Sequence, residues 1–338
     1  MSRAAGYCVY IIAALGLLSS ISGCGNGGGN GASALSYTGT VSPATLTAAN
    51  SPTLLGGAYT GGNSGIIIGK VTAGLTQYDY GASRRPRTIV MSAALIKFIQ
   101  LTAVDDVLAR PETAATITNI PDSIINGNCG GTAAVNGSYD DADGTLSLSA
   151  TLNGYCEGGT TLDGTVGASG QAVADSQNNI NISSITVTLA KLTAIYSDDS
   201  FTADGTMNIA PQPGHTYIGD DILITINMVL KDNATTKVYK LEDFAISESA
   251  TIGAVSYDDL TINGRFYDPD EGFIDLSTPG PIRIMNNAQW PSSGSLRGTG
   301  NNSSATITAQ SNTTYRLDVD TDGNGSVDSI ENGLWIDI

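Results

Sequence analysis

The sequence is poor in the residues that bind nucleic acid or build a hydrolase triad. Lys and Arg number 15 against 32 Asp and Glu, so the formal net charge is −17. Because phosphate recognition needs a cationic surface, this balance excludes nucleic acid as a partner. The one histidine, His215, lies in the loop-like segment PQPGHTY, and no G-x-S-x-G motif is present. The sequence therefore does not indicate a serine hydrolase.

Charge is also missing from the start of the chain, where Arg3 precedes an uncharged stretch over residues 4–23. Within this stretch, residues 9–18 (VYIIAALGLL) form an apolar run that is too short to cross about 30 Å of hydrocarbon comfortably. A positive start, a short apolar run and small residues before a cleavage point are typical of a secretory signal peptide. Removal of residues 1–23 would leave a net charge of about −18.

The tetrapeptide ISGC at residues 21–24 directly follows the apolar run. It resembles the lipobox of bacterial lipoproteins, which implies that Cys24 becomes the lipid-modified first residue of the mature chain. Two or three acyl chains would give stable membrane anchoring. Gly25 stands where aspartate would favour the inner membrane, so the resemblance favours the outer membrane. The alternative is an ordinary signal peptide followed by a chance cysteine.

Residues 24–36 contain the run GNGGGNGAS, which has almost no side chain to pack. Glycine-rich segments of this kind behave as flexible linkers. We therefore expect a tether that separates the folded part from the lipid surface.

Two cysteines remain in the mature chain, because Cys8 leaves with the signal peptide and Cys24 is lipid-modified. In an oxidising compartment, Cys129 and Cys156 are expected to form a disulfide. Two cysteines and the distant His215 do not make a zinc site.

Residues 37–125 form an N-terminal region with helical signals. Ser42 is a candidate N-cap and Pro43 a candidate first helical residue, which predicts a short helix over residues 42–50. Residues 65–75 (GIIIGKVTAGL) predict a buried strand or a strand pair. Residues 88–108 have apolar positions at helical spacing and predict the main helix of this region.

Residues 126–338 alternate strand patterns with turn segments. LSLSATL alternates strictly, as a half-buried strand does, and KDNAT, YDPDEG, STPGP and GTGNN have the composition of turns. Strand patterns recur about every 8 to 15 residues without helical patterns between them. The fold class predicted is mainly β, an antiparallel meander closing as a sandwich or a curled half-barrel, with one or two short helices in the N-terminal region.

Several segments of this part are similar to a family of uncharacterised bacterial surface lipoproteins. They are CGG with GSYD and GTLSLSATLNGYCEGG, then VYKLEDFAIS, GRFYDPDEGFIDLSTPGPI, PSSGSLRGTG and YRLDVDTDGNGSVDS. The resemblance covers roughly residues 125–335. It implies a β architecture and a surface location, and it implies no activity.

The sharpest motif is DTDGNGSVDSIE at residues 320–331, which matches an EF-hand calcium loop at each specified position. Side-chain oxygens, one backbone carbonyl and a closing glutamate would bind the ion, from Asp320, Asp322, Asn324, Ser326, Asp328 and Glu331. A strand pattern precedes the loop and seven residues follow it, so the flanking helices of an EF-hand are not expected. We predict one structural calcium ion.

Two alternatives to this arrangement remain open. A register starting at Asp318 would use Asp318, Asp320 and Asp322, which makes Glu331 the least secure ligand. The loop could also be a solvated Asp/Gly turn without a metal.

Other acidic and aromatic residues give weaker signals. Glycosidases use a pair of carboxylates, and acidic pairs occur at residues 198–199, 220–221, 258–259 and 268–271. Each of these pairs, however, lies in a predicted turn. Tyr267, Phe273 and Trp290 could stack on sugar rings, although core packing is the more common role of such residues. No catalytic residue is assigned.

These patterns predict a lipid-anchored, non-enzymatic protein outside the cytoplasm that binds a ligand or partner, or supports the envelope. The alternative is a carbohydrate-binding or adhesive surface module, with a glycan-active hydrolase less favoured. The expected partners are the membrane, through the lipid, and a protein or glycan.

Overall fold

The computed structural model describes residues 34–59 and 117–337, with gaps at 141, 158, 175–179, 197–198, 219–220, 252–254, 286–287 and 289. The predicted signal peptide, Cys24, most of the tether, the strand signal at 65–75 and the helix expected at 88–108 lie outside these residues. In the described part, no helix is both long and apolar enough to cross a bilayer.

Within the described residues, fourteen strands form one antiparallel sheet in which each strand pairs with the next along the chain. The strands are β1 (Ile117–Asn126), β2 (Gly130–Asp140), β3 (Thr145–Glu157), β4 (Thr160–Ala174), β5 (Ile180–Tyr196), β6 (Asp199–Pro211), β7 (Ile222–Asp232), β8 (Val238–Thr251), β9 (Tyr257–Asp268), β10 (Gly272–Met285), β11 (Ser293–Gly300), β12 (Ser303–Ala309), β13 (Thr314–Asp320) and β14 (Ser329–Leu334). A 3₁₀ turn, Trp335–Asp337, follows β14. The predicted antiparallel meander with a short N-terminal helix is confirmed, and its linear strand order is consistent with a curled half-barrel.

Alternation of side chains along the strands places the core on one face of the sheet. In β7, Ile222, Ile224 and Ile226 are buried and the residues between them are less so. This is the period of two that an extended chain with one covered face produces. The fully buried aromatic side chains Tyr155 and Phe244 belong to the same core.

The two outermost strands were not predicted, and β10 was predicted as two pieces. The sheet begins at Ile117, ahead of the boundary expected near residue 126. In β10 the STPGP segment was expected to be a turn, yet the strand continues through it. The Thr278 hydroxyl accepts a hydrogen bond from the Ile262 amide at 2.7 Å and donates to the Ile262 carbonyl at 2.9 Å. This side chain replaces backbone pairing where prolines cannot donate.

The Cys129–Cys156 disulfide is present, as predicted, with 5.0 Å between the Cα atoms. It joins the residue before β2 to the end of β3, where Gly130 pairs with Cys156. The bond closes the first long hairpin of the sheet at the end where β1 and β2 turn.

Residues 34–46 form an extended segment, here called the strap, that runs around the turn end of β9 to β12. The Leu35 amide donates to Asp204 at 3.2 Å, and the Tyr37 hydroxyl donates to the Asp268 carbonyl at 2.9 Å. Further along, the Thr40 amide donates to the Pro269 carbonyl at 3.0 Å. The strap therefore starts on the face opposite the core and is fixed to several strands.

The helix expected over residues 42–50 is wrong, because Ser42, Pro43 and Ala44 pair with β10. Phe273 donates its amide to the Ser42 carbonyl and accepts from the Ala44 amide, so Pro43 lies in a short parallel bridge. The observed helix, α1, covers residues 51–59. Thr47 and Asn50 cap it reciprocally, each accepting from the other's amide, in the manner of a capping box.

Candidate functional site

The acidic loop, residues 320–328, connects β13 to β14 and begins at a buried carboxylate. Asp320 is 7% exposed and pairs with Ser304 of β12. Its two carboxylate oxygens accept hydrogen bonds from the Gly323 amide at 2.8 Å and the Gly325 amide at 2.9 Å. Both glycines have positive φ, 72° and 86°, a conformation that other residues adopt at a cost. The glycine spacing of the motif therefore lets the chain fold around Asp320.

Asp322 and Asp328 lie on the exposed side of the same loop. One carboxylate oxygen from each of Asp320, Asp322 and Asp328 lies within 4.8 Å of the others, and this is the only such acidic group of three among the described residues. Asp328 accepts from the Thr321 hydroxyl at 2.6 Å and the Thr321 amide at 2.7 Å. These bonds, the hydroxyl first, lower the pKa of Asp328 below its usual range.

Asn324 and Ser326 continue the loop through local hydrogen bonds. The Asn324 amide nitrogen of the backbone donates to Asp322 at 3.1 Å, and the Ser326 amide donates to the Asn324 side-chain oxygen at 2.8 Å. The side-chain nitrogen of Asn324 also donates to Asp322 at 2.9 Å. The two residues thus order the segment between the converging carboxylates.

Glu331 and Asp318 are outside the converging group. Glu331 lies in β14 opposite Leu317, after the chain has become extended again. Asp318 accepts from Arg316 at 2.8 Å and forms an ion pair with it. The structure thus brings together three of the predicted acidic ligands, Asp320, Asp322 and Asp328. Asp318, with which the alternative register begins, is not in this group.

The donor chemistry fits a hard divalent cation. Carboxylate oxygens are the ligands that calcium prefers, and each keeps acceptor capacity beyond one amide hydrogen bond. Asp320, Asp322 and Asp328 are the residues that would hold the ion, with the oxygens of Asn324 and Ser326 adjacent in sequence. A bound cation would offset the mutual repulsion of these carboxylates.

The acidic loop contacts the neighbouring β11–β12 turn. A Cβ atom added to Gly323 would approach the Asn302 carbonyl group to 2.9 Å. The same turn holds the strap, because the Asn301 amide donates to the Ala44 carbonyl at 2.7 Å and the Ser303 hydroxyl accepts from the Leu46 amide at 2.8 Å. Loop, turn and strap therefore form one continuous set of contacts.

Of the other acidic pairs, the pair at 258–259 lies in β9 and not in the turn that was expected, whereas residues 268–271 do form the β9–β10 turn. Asp259 binds Arg283 through two hydrogen bonds of 2.7 and 2.8 Å. Asp268 accepts from the amides of Asp270 and Glu271, which closes the β9–β10 turn. His215 lies 3.6 Å from Asp221, and its side chain is 55% exposed. Asp198 and Asp220 lie outside the described residues.

The aromatic residues considered for sugar stacking have their ring faces covered. Tyr267 is buried, and its ring lies 4.7 Å below the Lys240 ammonium group. The Arg265 guanidinium stacks over Phe273 at 3.8 Å. Trp290 stacks on Trp335 with ring centroids 5.9 Å apart.

Trp335 is the feature that the sequence patterns missed. Its ring is 4% exposed and packs against Tyr59, Trp290 and Tyr315. Its indole nitrogen donates to the Ser311 carbonyl at 3.0 Å. The only signal in the sequence is the large apolar ring itself, since tryptophan side chains bury a large area and dominate core packing.

The candidate site is thus an acidic loop at the last hairpin, ordered by its own amides and supported by the turn beside it. Three carboxylates converge there and could hold one divalent cation. Comparison of the chain with protein-family models, curated proteins and solved structures finds no match.

Proposed function

We propose that this protein is a lipid-anchored, non-enzymatic component of a bacterial cell envelope, with the outer membrane favoured. The observation that carries the proposal is the ISGC tetrapeptide directly after a short apolar run, with Cys24 at the expected cleavage point. Acyl chains on Cys24 would hold the β domain at the membrane.

The disulfide supports a location outside the reducing cytoplasm. Structural disulfides persist in oxidising compartments and are rare where thiols are kept reduced. The Cys129–Cys156 bond closes a hairpin whose strands already pair, so its position is that of a structural cross-link. The acidic surface is in keeping with a soluble domain that relies on lipid for attachment, since anionic headgroups would repel it.

The acidic loop would bind one calcium ion with a structural role. Extracellular modules bind calcium with dissociation constants of about 10⁻⁴ to 10⁻³ M, and such sites order loops. Here the ion would join Asp320, at the end of β13, to Asp328, just ahead of β14. It would therefore stabilise the last hairpin.

A role in binding or support is favoured over catalysis by the use of the acidic side chains. The carboxylates of Asp259 and Asp268 are occupied by an arginine and by turn amides. Glycoside hydrolysis, the catalytic alternative raised by the sequence, commonly uses two carboxyl groups that face a common cleft. The carboxylates of Asp259 and Asp268 instead stabilise the sheet and its turns.

The Cys24→Ser variant tests the proposal. Without the thiol no lipid can be attached, so the protein should move from the membrane fraction to the soluble fraction. Cys8→Ser is the matched control, because Cys8 lies within the signal peptide and should leave fractionation unchanged. Membrane association of the Cys24→Ser protein equal to that of the unmodified sequence would contradict the anchor.

A further inference from the structure

Strand β14 presents an exposed edge of the sheet. Among the described strands it pairs only with β13. Ile330 and Leu334 are 56% and 47% exposed, and Glu331 and Asn332 are also exposed. Aliphatic side chains beside an open strand edge are a template for pairing with another chain.

The backbone groups of Ile330, Asn332 and Leu334 point towards this open edge. The Thr314 carbonyl accepts from the Gln310 amide, so the Thr314 backbone faces β12. Because backbone direction alternates along a strand, Tyr315, Leu317 and Val319 face β14 and bond their partners there. The Trp335 amide, which donates to the Thr313 carbonyl at 3.1 Å, agrees with this alternation. The residues between the bonded ones therefore present donors and acceptors outwards.

The opposite edge, β1, has features that hinder pairing. It contains Pro121, which has no amide proton, and its register with β2 shifts between Ile120 and Ser123. Proline and irregular register are devices that protect edge strands. Strand β14 contains neither proline nor lysine, and its register with β13 is continuous. The two edges of the described sheet therefore differ in their capacity to accept another strand.

Charge identifies the kind of strand that fits. Residues 320–337, which include β14 and its flanking segments, contain Asp322, Asp328, Glu331 and Asp337 and no Lys or Arg. Arg316, opposite Asn332 on β13, is already paired with Asp318. A second copy of this chain would bring the same acidic edge and would be repelled. An extended segment with lysine or arginine on one face would be attracted.

We propose that β14 binds an extended, cationic segment of another protein as an additional strand of the sheet. Backbone hydrogen bonds would come from Ile330, Asn332 and Leu334, and apolar side chains of the partner would contact Ile330 and Leu334. Glu331 would pair with a basic side chain on the opposite face. This mode of recognition is β-strand addition, and it requires neither the lipid nor a metal ion.

The test uses the full chain in detergent with EDTA and a short fluorescent peptide that alternates Val or Thr with Lys. Fluorescence anisotropy should show saturable binding that weakens as salt is raised. Asn332→Pro removes an outward amide without removing a bond to β13, and it should weaken binding about tenfold or more. Asn332→Thr keeps the amide and the strand, so it is the matched control with little change.

Two peptide controls complete the design, and circular dichroism verifies that both variants remain folded. Methylation of alternate peptide nitrogens, or replacement of Lys by Glu, should each abolish measurable binding. The proposal is overturned if the methylated peptide or the Asn332→Pro protein binds as well as its control. It is also overturned if the chain does not bind the lysine peptide and instead dimerises through β14 as the protein concentration is raised.

Discussion

Strands β2 and β3 near one edge of the sheet are tied covalently by Cys129 and Cys156, whereas β13 and β14 at the other edge are held by packing and by an acidic loop. The disulfide depends only on the redox state of its two sulfur atoms. The last hairpin combines the buried Trp335 ring with three carboxylates whose repulsion depends on pH and on cations. The comparison indicates that pH and cations can act on the last hairpin, whereas the early one is sensitive to reductants.

The largest expected effect on this difference between the two hairpins comes from removing the Trp335 packing beside β13 and β14. Trp335→Ala deletes a ring that is 4% exposed and contacts three aromatic side chains, so we expect a loss of about 3 to 5 kcal/mol in the free energy of unfolding. Urea unfolding with calcium present would measure it. Ile336→Ala is the control, since Ile336 is 65% exposed and should change stability by less than about 0.5 kcal/mol. Equal effects of the two variants would contradict the anchoring role.

Removal of the Cys129–Cys156 disulfide should reduce the free energy of unfolding by a somewhat smaller amount. The disulfide joins residues 27 positions apart, and the chain-entropy relation gives about 3 to 4 kcal/mol for a loop of this size. The Cys129→Ala, Cys156→Ala double variant should lose this amount in urea unfolding. A reductant should destabilise the unmodified protein and leave the double variant unaffected. Reduction without any shift in the unfolding midpoint would argue against a stabilising bond.

Calcium should increase the difference between the two hairpins, because it should stabilise only the β13–β14 hairpin. With a dissociation constant of about 10⁻⁴ to 10⁻³ M, about 10 mM calcium contributes roughly 1 to 3 kcal/mol relative to EDTA. Asp322→Asn should remove most of this gain, measured as the shift in melting temperature. Asp143→Asn is a matched control, because Asp143 accepts a turn amide at 2.8 Å on the β2–β3 turn, far along the sheet from the acidic loop. If the Asp322→Asn protein keeps the full calcium shift, the site is not the acidic loop.

The smallest expected effect concerns the titration of Asp328 in metal-free buffer. Thr321→Val removes the hydroxyl donor but keeps the backbone amide, so the pKa of Asp328 should rise towards its usual value. A lowered native pKa means that the ionised carboxylate stabilises the fold above the unfolded-state pKa. This contribution is lost as pH falls through the native pKa. Carbon-detected NMR titration of the Asp328 carboxyl would follow the change, and an unaltered pKa would assign the shift to another cause.

The strands were predictable where one face is buried, because alternation then appears in the letters. LSLSATL is such a case, and it lies within β3. Strand β14 (SIENGL) has little alternation and one glycine, and β1 contains a proline, so neither had a pattern to detect. Edge strands are defined by having one neighbour, and a single-sequence pattern does not encode that.

The acidic loop was predictable up to the point where tertiary structure takes over. The spacing of Asp320, Asp322 and Asp328 follows from a motif whose glycines permit one local turn. The position of Glu331 depends on where the chain resumes pairing with β13, and that is set by register rather than by spacing. Similarly, Ser42 and Pro43 have the chemistry of a helix start, yet hydrogen bonding to Phe273 places them beside β10.

The strap has a mechanical consequence if Cys24 is held in a bilayer. Traction on the chain ahead of Leu35 would reach the sheet through bonds to Asp204, Pro269 and Phe273, and then through the β11–β12 turn. These attachment points lie on β6, in the β9–β10 turn and on β10, so a pulling force would act on the interior of the sheet and would not peel an edge strand from it. Under that condition the domain would resist unfolding by a force applied through the tether.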